Sequence, residues 1–88
     1  MYRVTREQLN VTARQLIHGL QFDRRIRWFA YIDRQWMPMT QLYRTAVGLD
    51  HCNTYRAWGA LACCGVKIRR VGRNKARRLQ LILIGQRR

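Results

Sequence analysis

Apolar residues recur at helical spacing through the first third of the chain. They follow an i, i+3, i+4 pattern at Leu9, Ala13, Leu16, Ile17 and Leu20. Thr5 and Gln8 form a capping-box pair before this run, so a helix is expected over Arg6–His18. A second helix is expected over Arg24–Arg34, with Asp23 as its cap. The N-terminal part of the chain is therefore predicted to be helical.

The middle of the chain predicts two more helices after a break. Pro38 lacks an amide hydrogen and disfavours a helical residue before it, so the chain is expected to be extended there. A short helix is expected over Gln41–Val47. A longer helix is expected over His51–Cys64, beginning after Asp50 and ending at Gly65. One face of the longer helix carries Thr54, Trp58 and Leu61, and Trp58 is expected to point inward.

The pattern changes to a period of two after Gly65. Val66 and Ile68 alternate with charged residues. In a second run Leu79, Leu81 and Leu83 alternate with Gln80, Ile82 and Ile84, so this run is apolar on both faces over 81–84. Gly72–Arg77 lie between the two runs and predict a turn. The fold class is therefore expected to be α+β and mainly α, with about four helices followed by a C-terminal β-hairpin.

The charge of the chain narrows the class of partner. The 88 residues carry a net charge of +14, with a sequence pI near 11.5, and sixteen of the eighteen basic residues are arginine. Nine of the last twenty-three residues are basic and none is acidic. The 48% hydrophobic content suits one folded domain, 1–88, rather than a disordered tail. Because arginine binds phosphate through a planar fork, this charge predicts a nucleic-acid partner.

Several other classes of function are not supported by the sequence. The four acidic residues form no paired carboxylates, and no phosphate loop or nucleophile motif occurs, so an enzyme is not expected. His51, Cys52, Cys63 and Cys64 lack zinc-site spacing, so neither a metal nor another cofactor is expected. The odd cysteine count indicates a reducing compartment, and a cytoplasmic, nucleoid-associated location is predicted. No apolar run could span a bilayer, so a membrane partner is not expected.

Four features and a basic hairpin follow one another along segment 39–84. The features are the Gly48–Leu49 turn, the Asp50 cap, the Trp58–Leu61 pair and the Gly65–Val66 exit. In this order they resemble the winged helix-turn-helix family, which includes many small bacterial, phage and plasmid regulators. The resemblance implies N-terminal helices over 1–36 that support the core or a dimer, a helix-turn-helix over 39–65, and a wing hairpin over 66–84.

The resemblance also implies roles for polar and basic side chains. The recognition helix would read base edges in the major groove through His51, Asn53, Tyr55 and Arg56. Contacts to the DNA backbone would come from Thr40, Gln41, Arg44, Arg69, Arg70, Arg73, Lys75, Arg77 and Arg78. A second basic patch contains Arg24, Arg25, Arg27 and Arg34. Three alternatives stay open, which are a capping role for Asn53, a phosphate contact for Arg56 and core-edge packing for Tyr55. The aromatic residues expected in the core or a dimer interface, with base stacking as the alternative, are Trp28, Tyr31 and Trp36.

The leading hypothesis is a small DNA-binding transcriptional repressor that acts as a homodimer. A second hypothesis is a structural subunit of a nucleoprotein complex that holds DNA or RNA without reading its sequence. It is favoured by the near-neutral segment 39–65, which nets +1 from Arg44 and Arg56 against Asp50. A third is a protein-interaction module, such as a phage-type inhibitor that binds an acidic surface. DNA is expected as a partner in preference to RNA.

Overall fold

The computed structural model of the protein describes residues 4–86. In chain order these residues form α1 (Arg6–Gly19), β1 (Trp28–Ile32), β2 (Gln35–Pro38), α2 (Met39–Val47), α3 (Thr54–Cys63), β3 (Lys67–Arg70) and α4 (Arg73–Gly85). The strands make one antiparallel sheet. The predicted fold class, α+β and mainly helical, is therefore confirmed, although two of the predicted elements are wrong.

Helix α1 begins and ends where the sequence predicts. The Thr5 hydroxyl oxygen accepts a hydrogen bond from the Gln8 N–H at 3.1 Å, and the Gln8 side-chain oxygen accepts one from the Thr5 N–H at 2.9 Å. This reciprocal pair satisfies two donors that a helix start otherwise leaves without partners. The inward face of α1 buries Leu9, Thr12, Ala13 and Ile17.

The helix predicted over Arg24–Arg34 is wrong, because the structure forms the β1–β2 hairpin there. Asp33 and Arg34 make its two-residue turn with φ of 52° and 64°, the left-handed backbone that suits a tight hairpin. Phe29 and Ala30 are both fully buried, since the sheet is covered on both faces at this point. A strand buried on both faces has no alternation, so its apolar run could not be told from a helix by spacing.

Strand β1 is the centre of the sheet, with β2 on one side and β3 on the other. One face carries Ala30, Met37 and Ile68, which pack on helices α1, α2 and α3 in the main core. The other face carries Phe29, which packs on Val71 and on Ala76 of α4. The sheet is thus a middle layer between three helices and part of a fourth.

The C-terminal hairpin predicted over 66–84 is also wrong. Strand β3 exists, but it pairs with β1, and the residues expected to form the turn and second strand are helix α4. The buried residues of α4 are Ala76, Gln80 and Leu83, spaced four and three apart, whereas Leu81 and Ile82 are exposed. The burial period is therefore helical, although every residue over 79–84 except Gln80 is apolar and the sequence shows no helical spacing there. The chain has no wing at these positions, and the basic residues assigned to the wing tip lie on α4.

Helices α2 and α3 follow each other as predicted, but α2 begins earlier than expected, at Met39, and α3 begins later, at Thr54. Gly48 ends α2 with φ of 75° in the left-handed region, which glycine adopts without strain. Asn53, rather than Asp50, caps α3, and its side-chain oxygen accepts from the Arg56 N–H at 2.8 Å. The inward residues of α3 are Ala57 and Leu61. Trp58, predicted to point inward, is 47% exposed.

The three cysteines within residues 4–86 form no disulfide. Cys52 and Cys64 are half-buried, Cys63 is exposed, and all three thiols are free. Within these residues, the helices are too short or too polar to traverse a lipid bilayer.

Candidate nucleic-acid interface

A groove of about 420 Å³ lies between the loop before β1 and the starts of α2 and α3. Its walls combine apolar side chains with basic, hydroxyl and amide side chains, and the latter are Arg25, Arg27, Arg44, Thr40, Gln41 and Thr54. We call this feature the arginine groove. Among its residues, Thr40, Gln41 and Arg44 were predicted to contact a nucleic-acid backbone, whereas Arg25 and Arg27 were predicted to form a separate patch.

The loop that forms one wall of the groove is held in place by α4. Gln80 is fully buried, and its side-chain oxygen accepts a hydrogen bond from the Asp23 N–H at 2.9 Å. Its side-chain nitrogen donates to the Asp23 carbonyl oxygen at 3.0 Å. A buried amide is stable only when its polar atoms have partners, and Asp23 supplies both. We call this pair of hydrogen bonds the Gln80–Asp23 clamp. It fixes the loop that carries Arg24 and Arg25.

Asp23 is the one acidic residue among the described residues that line the groove. Its carboxylate accepts hydrogen bonds from the Arg25 side chain at 3.1 and 3.2 Å and from the Arg25 N–H at 2.9 Å. The side-chain and backbone hydrogen bonds from Arg25 hold the pKa of Asp23 below its ordinary value. The same side-chain hydrogen bond raises the pKa of Arg25. The opposite charges of Asp23 and Arg25 cancel, so the groove keeps a net positive charge from Arg27 and Arg44.

The start of α2 adds to this positive field. Pro38 precedes the helix, and within the described residues no side chain caps it with a hydrogen bond. Backbone N–H groups at a helix start carry partial positive charge and suit an anion. Arg44, about one and a half turns along the same helix, donates to the Asp50 carbonyl at 3.3 Å, which uses one of its five N–H donors.

The arginine groove continues around the loop towards α4. A second groove shares Asp23, Arg25 and Gln41 with the first and adds Gln21, Phe22 and Arg24. A third groove shares Phe22 and Arg24 with the second and is otherwise formed by α4, through Arg73, Asn74, Ala76, Arg77, Gln80 and Leu81. Neighbouring grooves share lining residues, so the three together make one row of grooves around the loop. We call it the basic track, and its arginines are Arg24, Arg25, Arg27, Arg44, Arg73 and Arg77.

An aromatic cleft of about 500 Å³ adjoins the other end of the arginine groove. It is lined by Trp28, Thr54, Tyr55 and Trp58, of which Trp28 and Thr54 also line the arginine groove. Tyr55 is 86% exposed, and Arg70 stands opposite Trp28 on β3. The cleft is therefore an open apolar surface beside a positively charged one.

Not every predicted site residue lies on these surfaces. Arg69 lies on the other face of the sheet, with its guanidinium 5.5 Å from the centre of the Trp36 ring. Arg34 occupies the β1–β2 turn, and Asn53 is the cap of α3, which confirms the capping alternative. The remaining predicted residues, exposed but outside the track and the cleft, are His51, Arg56, Arg70, Lys75 and Arg78.

Sequence reasoning missed the apolar members of the site. Trp28 was expected in the core or a dimer interface, and Trp58 was expected to face inward. Phe22 and Leu81, which line the groove beside α4, were not predicted to belong to a binding surface. Predicting a strand that begins at Trp28 would have indicated the site, because it places Arg27 directly before an aromatic residue at the start of that strand.

Other chemistry and other proteins add nothing to this picture. Within the part of the chain that the structure describes, no group of three or more His, Cys, Asp or Glu residues could hold a metal ion. Comparisons with protein-family models, curated protein sequences and solved structures found no match. The site is therefore defined by the geometry and charge of this chain alone, and the winged-helix resemblance stays a prediction.

Proposed function

We propose that the protein binds nucleic acid by holding the phosphate backbone along the basic track. The observation that carries this proposal is the make-up of the track. Six arginines from the loop before β1, from α2 and from α4 line these adjoining grooves, and the one acid that lines them is paired with Arg25. A row of guanidinium groups without compensating acids suits a row of phosphates.

The test compares charge inside the track with charge outside it. Arg24→Gln and Arg27→Gln each remove one positive charge from the track. The matched control, Arg34→Gln, removes the same charge from the β1–β2 turn, where the side chain is exposed. Affinity for labelled single-stranded and duplex DNA and for RNA is measured by fluorescence anisotropy over a range of salt concentrations.

The track variants are expected to weaken binding, and the control is not. Removing one arginine–phosphate interaction should reduce the slope of log affinity against log salt by roughly 0.7–0.9. Equal reductions in all three variants would mean that only net charge matters, and the track would then have no role. Absence of binding at low salt would overturn the proposal as a whole.

The role that this geometry favours is a nucleic-acid-binding subunit that does not read sequence. Asn53 has its side-chain oxygen in the cap of α3, and the arginines converge on a backbone-binding track.

A transcriptional regulator is the second candidate, favoured by the exposure of Tyr55 and Arg56 in the first turns of α3. Selection from random duplexes separates the two roles. One enriched motif would favour the regulator, and an even distribution would favour the subunit.

A further inference from the structure

The aromatic cleft exposes large aromatic side chains, which proteins usually bury at least in part. Tyr55 and Trp58 lie three residues apart on α3, so their rings project from one side of the helix, and Trp28 faces them from β1. Tyr55 is 86% exposed and Trp58 is 47% exposed. Large exposed aromatics grouped in a concave site point to a ligand with a flat apolar face.

The position of the cleft restricts what that ligand can be. Trp28 and Thr54 line both the cleft and the arginine groove, so the two surfaces meet along one edge. A strand whose phosphates lie in the groove would bring its next base to the rings. Every nucleobase presents a π-face, and aromatic side chains bind bases by stacking on that face.

The same contact is closed to an ordinary duplex. Paired bases are stacked on their neighbours inside the helix, so their faces are covered unless a nucleotide is flipped out. A second copy of this chain also fits the cleft poorly. Its net charge of +14 would bring like charges together around a cleft lined by only four residues.

We propose that the aromatic cleft stacks an unpaired nucleobase, and that the nucleic acid held by the basic track is therefore single-stranded. This inference rests on the proposed function, since the track must hold the phosphates for the cleft to receive a base. The base is held by its face, so the contact tolerates any sequence.

The first test separates bases from phosphates. An oligothymidylate of about 12 nucleotides is compared with an abasic strand of the same phosphate number and with a duplex of equal length. The wild-type protein should bind the oligothymidylate at least about 5-fold more tightly than the abasic strand. Trp36→Phe leaves Trp28 and Trp58 as the only tryptophans, and their fluorescence should be quenched by the oligothymidylate and not by the abasic strand.

The second test places the base in the cleft. Tyr55→Ala is compared with Tyr31→Ala, which removes an exposed tyrosine from the other face of the sheet. Both side chains are exposed, so both variants should fold, and circular dichroism checks this. Tyr55→Ala should weaken oligothymidylate binding at least about 5-fold while leaving abasic binding unchanged, and Tyr31→Ala should change neither.

Each adverse outcome has a separate meaning. Equal binding of oligothymidylate and abasic strands, or equal effects of the two tyrosine variants, would overturn the base-stacking site and leave phosphate binding intact. A duplex that binds as tightly as the single strand would overturn the single-stranded class. Concentration-dependent self-association that Tyr55→Ala abolishes, without any base effect, would make the cleft a protein interface. Failure of every strand to bind at low salt would overturn the proposed function and this inference with it.

Discussion

Asp23 is held through two different sets of atoms. Gln80 binds its backbone, and Arg25 binds its carboxylate. The first interaction places the loop on α4, and the second removes an unpaired negative charge from the arginine groove. A single residue thereby links the position of the loop to the electrostatics of the site.

The pKa of Asp23 predicts a dependence of stability on pH. Hydrogen bonds from Arg25 lower this pKa from its ordinary value of 3.8. A lowered folded-state pKa stabilises the protein above the unfolded-state pKa, and the contribution is lost as pH falls through the folded-state value. Asp23→Asn keeps an oxygen for the Arg25 N–H but cannot titrate. From about pH 5 down to about pH 2, the variant should therefore lose less unfolding free energy than the wild type.

Urea midpoints of the two proteins across that pH range measure the difference. The variant should also be less stable than the wild type at neutral pH, where the ion pair is intact. Parallel curves would mean that the Asp23 carboxylate does not contribute to folding.

Among the elements, α4 depends on one buried polar contact with the loop. Gln80→Leu would remove both hydrogen bonds to Asp23 and leave the backbone N–H and carbonyl of Asp23 without these partners. Such changes typically cost about 1–3 kcal/mol of unfolding free energy. Chemical denaturation measures the change, with Gln15→Leu as control, because Gln15 is an exposed helical glutamine on α1. If both variants were equally stable, the clamp would not hold the loop.

Some elements could be predicted from the sequence because their signals are local. Thr5 and Gln8 specify the start of α1, and Gly48 and Gly65 mark the ends of α2 and α3. The hairpin and α4 could not be predicted in this way. The hairpin turn uses Asp33–Arg34 instead of a glycine pair. The apolar residues of α4 are continuous over 81–84, although its buried residues follow a helical period.

The residue types of the site could be predicted from the sequence, but the way in which the fold brings them together could not. The sequence identified Arg44 and Arg73 as phosphate-binding candidates and placed Arg25 in a separate basic patch. Their arrangement depends on Gln80 contacting Asp23, two residues separated by 57 positions. No local pattern encodes a contact at that separation, so the arginines were assigned to separate surfaces.

For the whole molecule, the net charge of +14 is spread over dimensions of 33 × 27 × 24 Å. The ion pairs among residues 4–86 include Arg14–Asp33 and Arg25–Asp23, and the chain has only four acidic residues, so most of the positive charge is opposed only by solvent. Like charges at these distances repel each other and destabilise the folded state.

Salt should therefore stabilise the free protein. Raising the ionic strength from about 0.01 M to about 0.15 M shortens the screening length from about 30 Å to about 8 Å. The thermal midpoint should rise over this range, as measured by circular dichroism in sodium chloride. A midpoint that falls would indicate that the ion pairs outweigh the repulsion.

The predicted homodimer can be checked in the same buffers by sedimentation.

The arginines of the basic track come from three separate stretches of chain, at 24–27, 44 and 73–77. An anionic polymer lying along them would tie the loop, α2 and α4 together as a cross-link does. Binding to the native chain in preference to the denatured one raises stability by mass action. Nucleic acid would thus serve this small basic domain as a folding aid as well as a target.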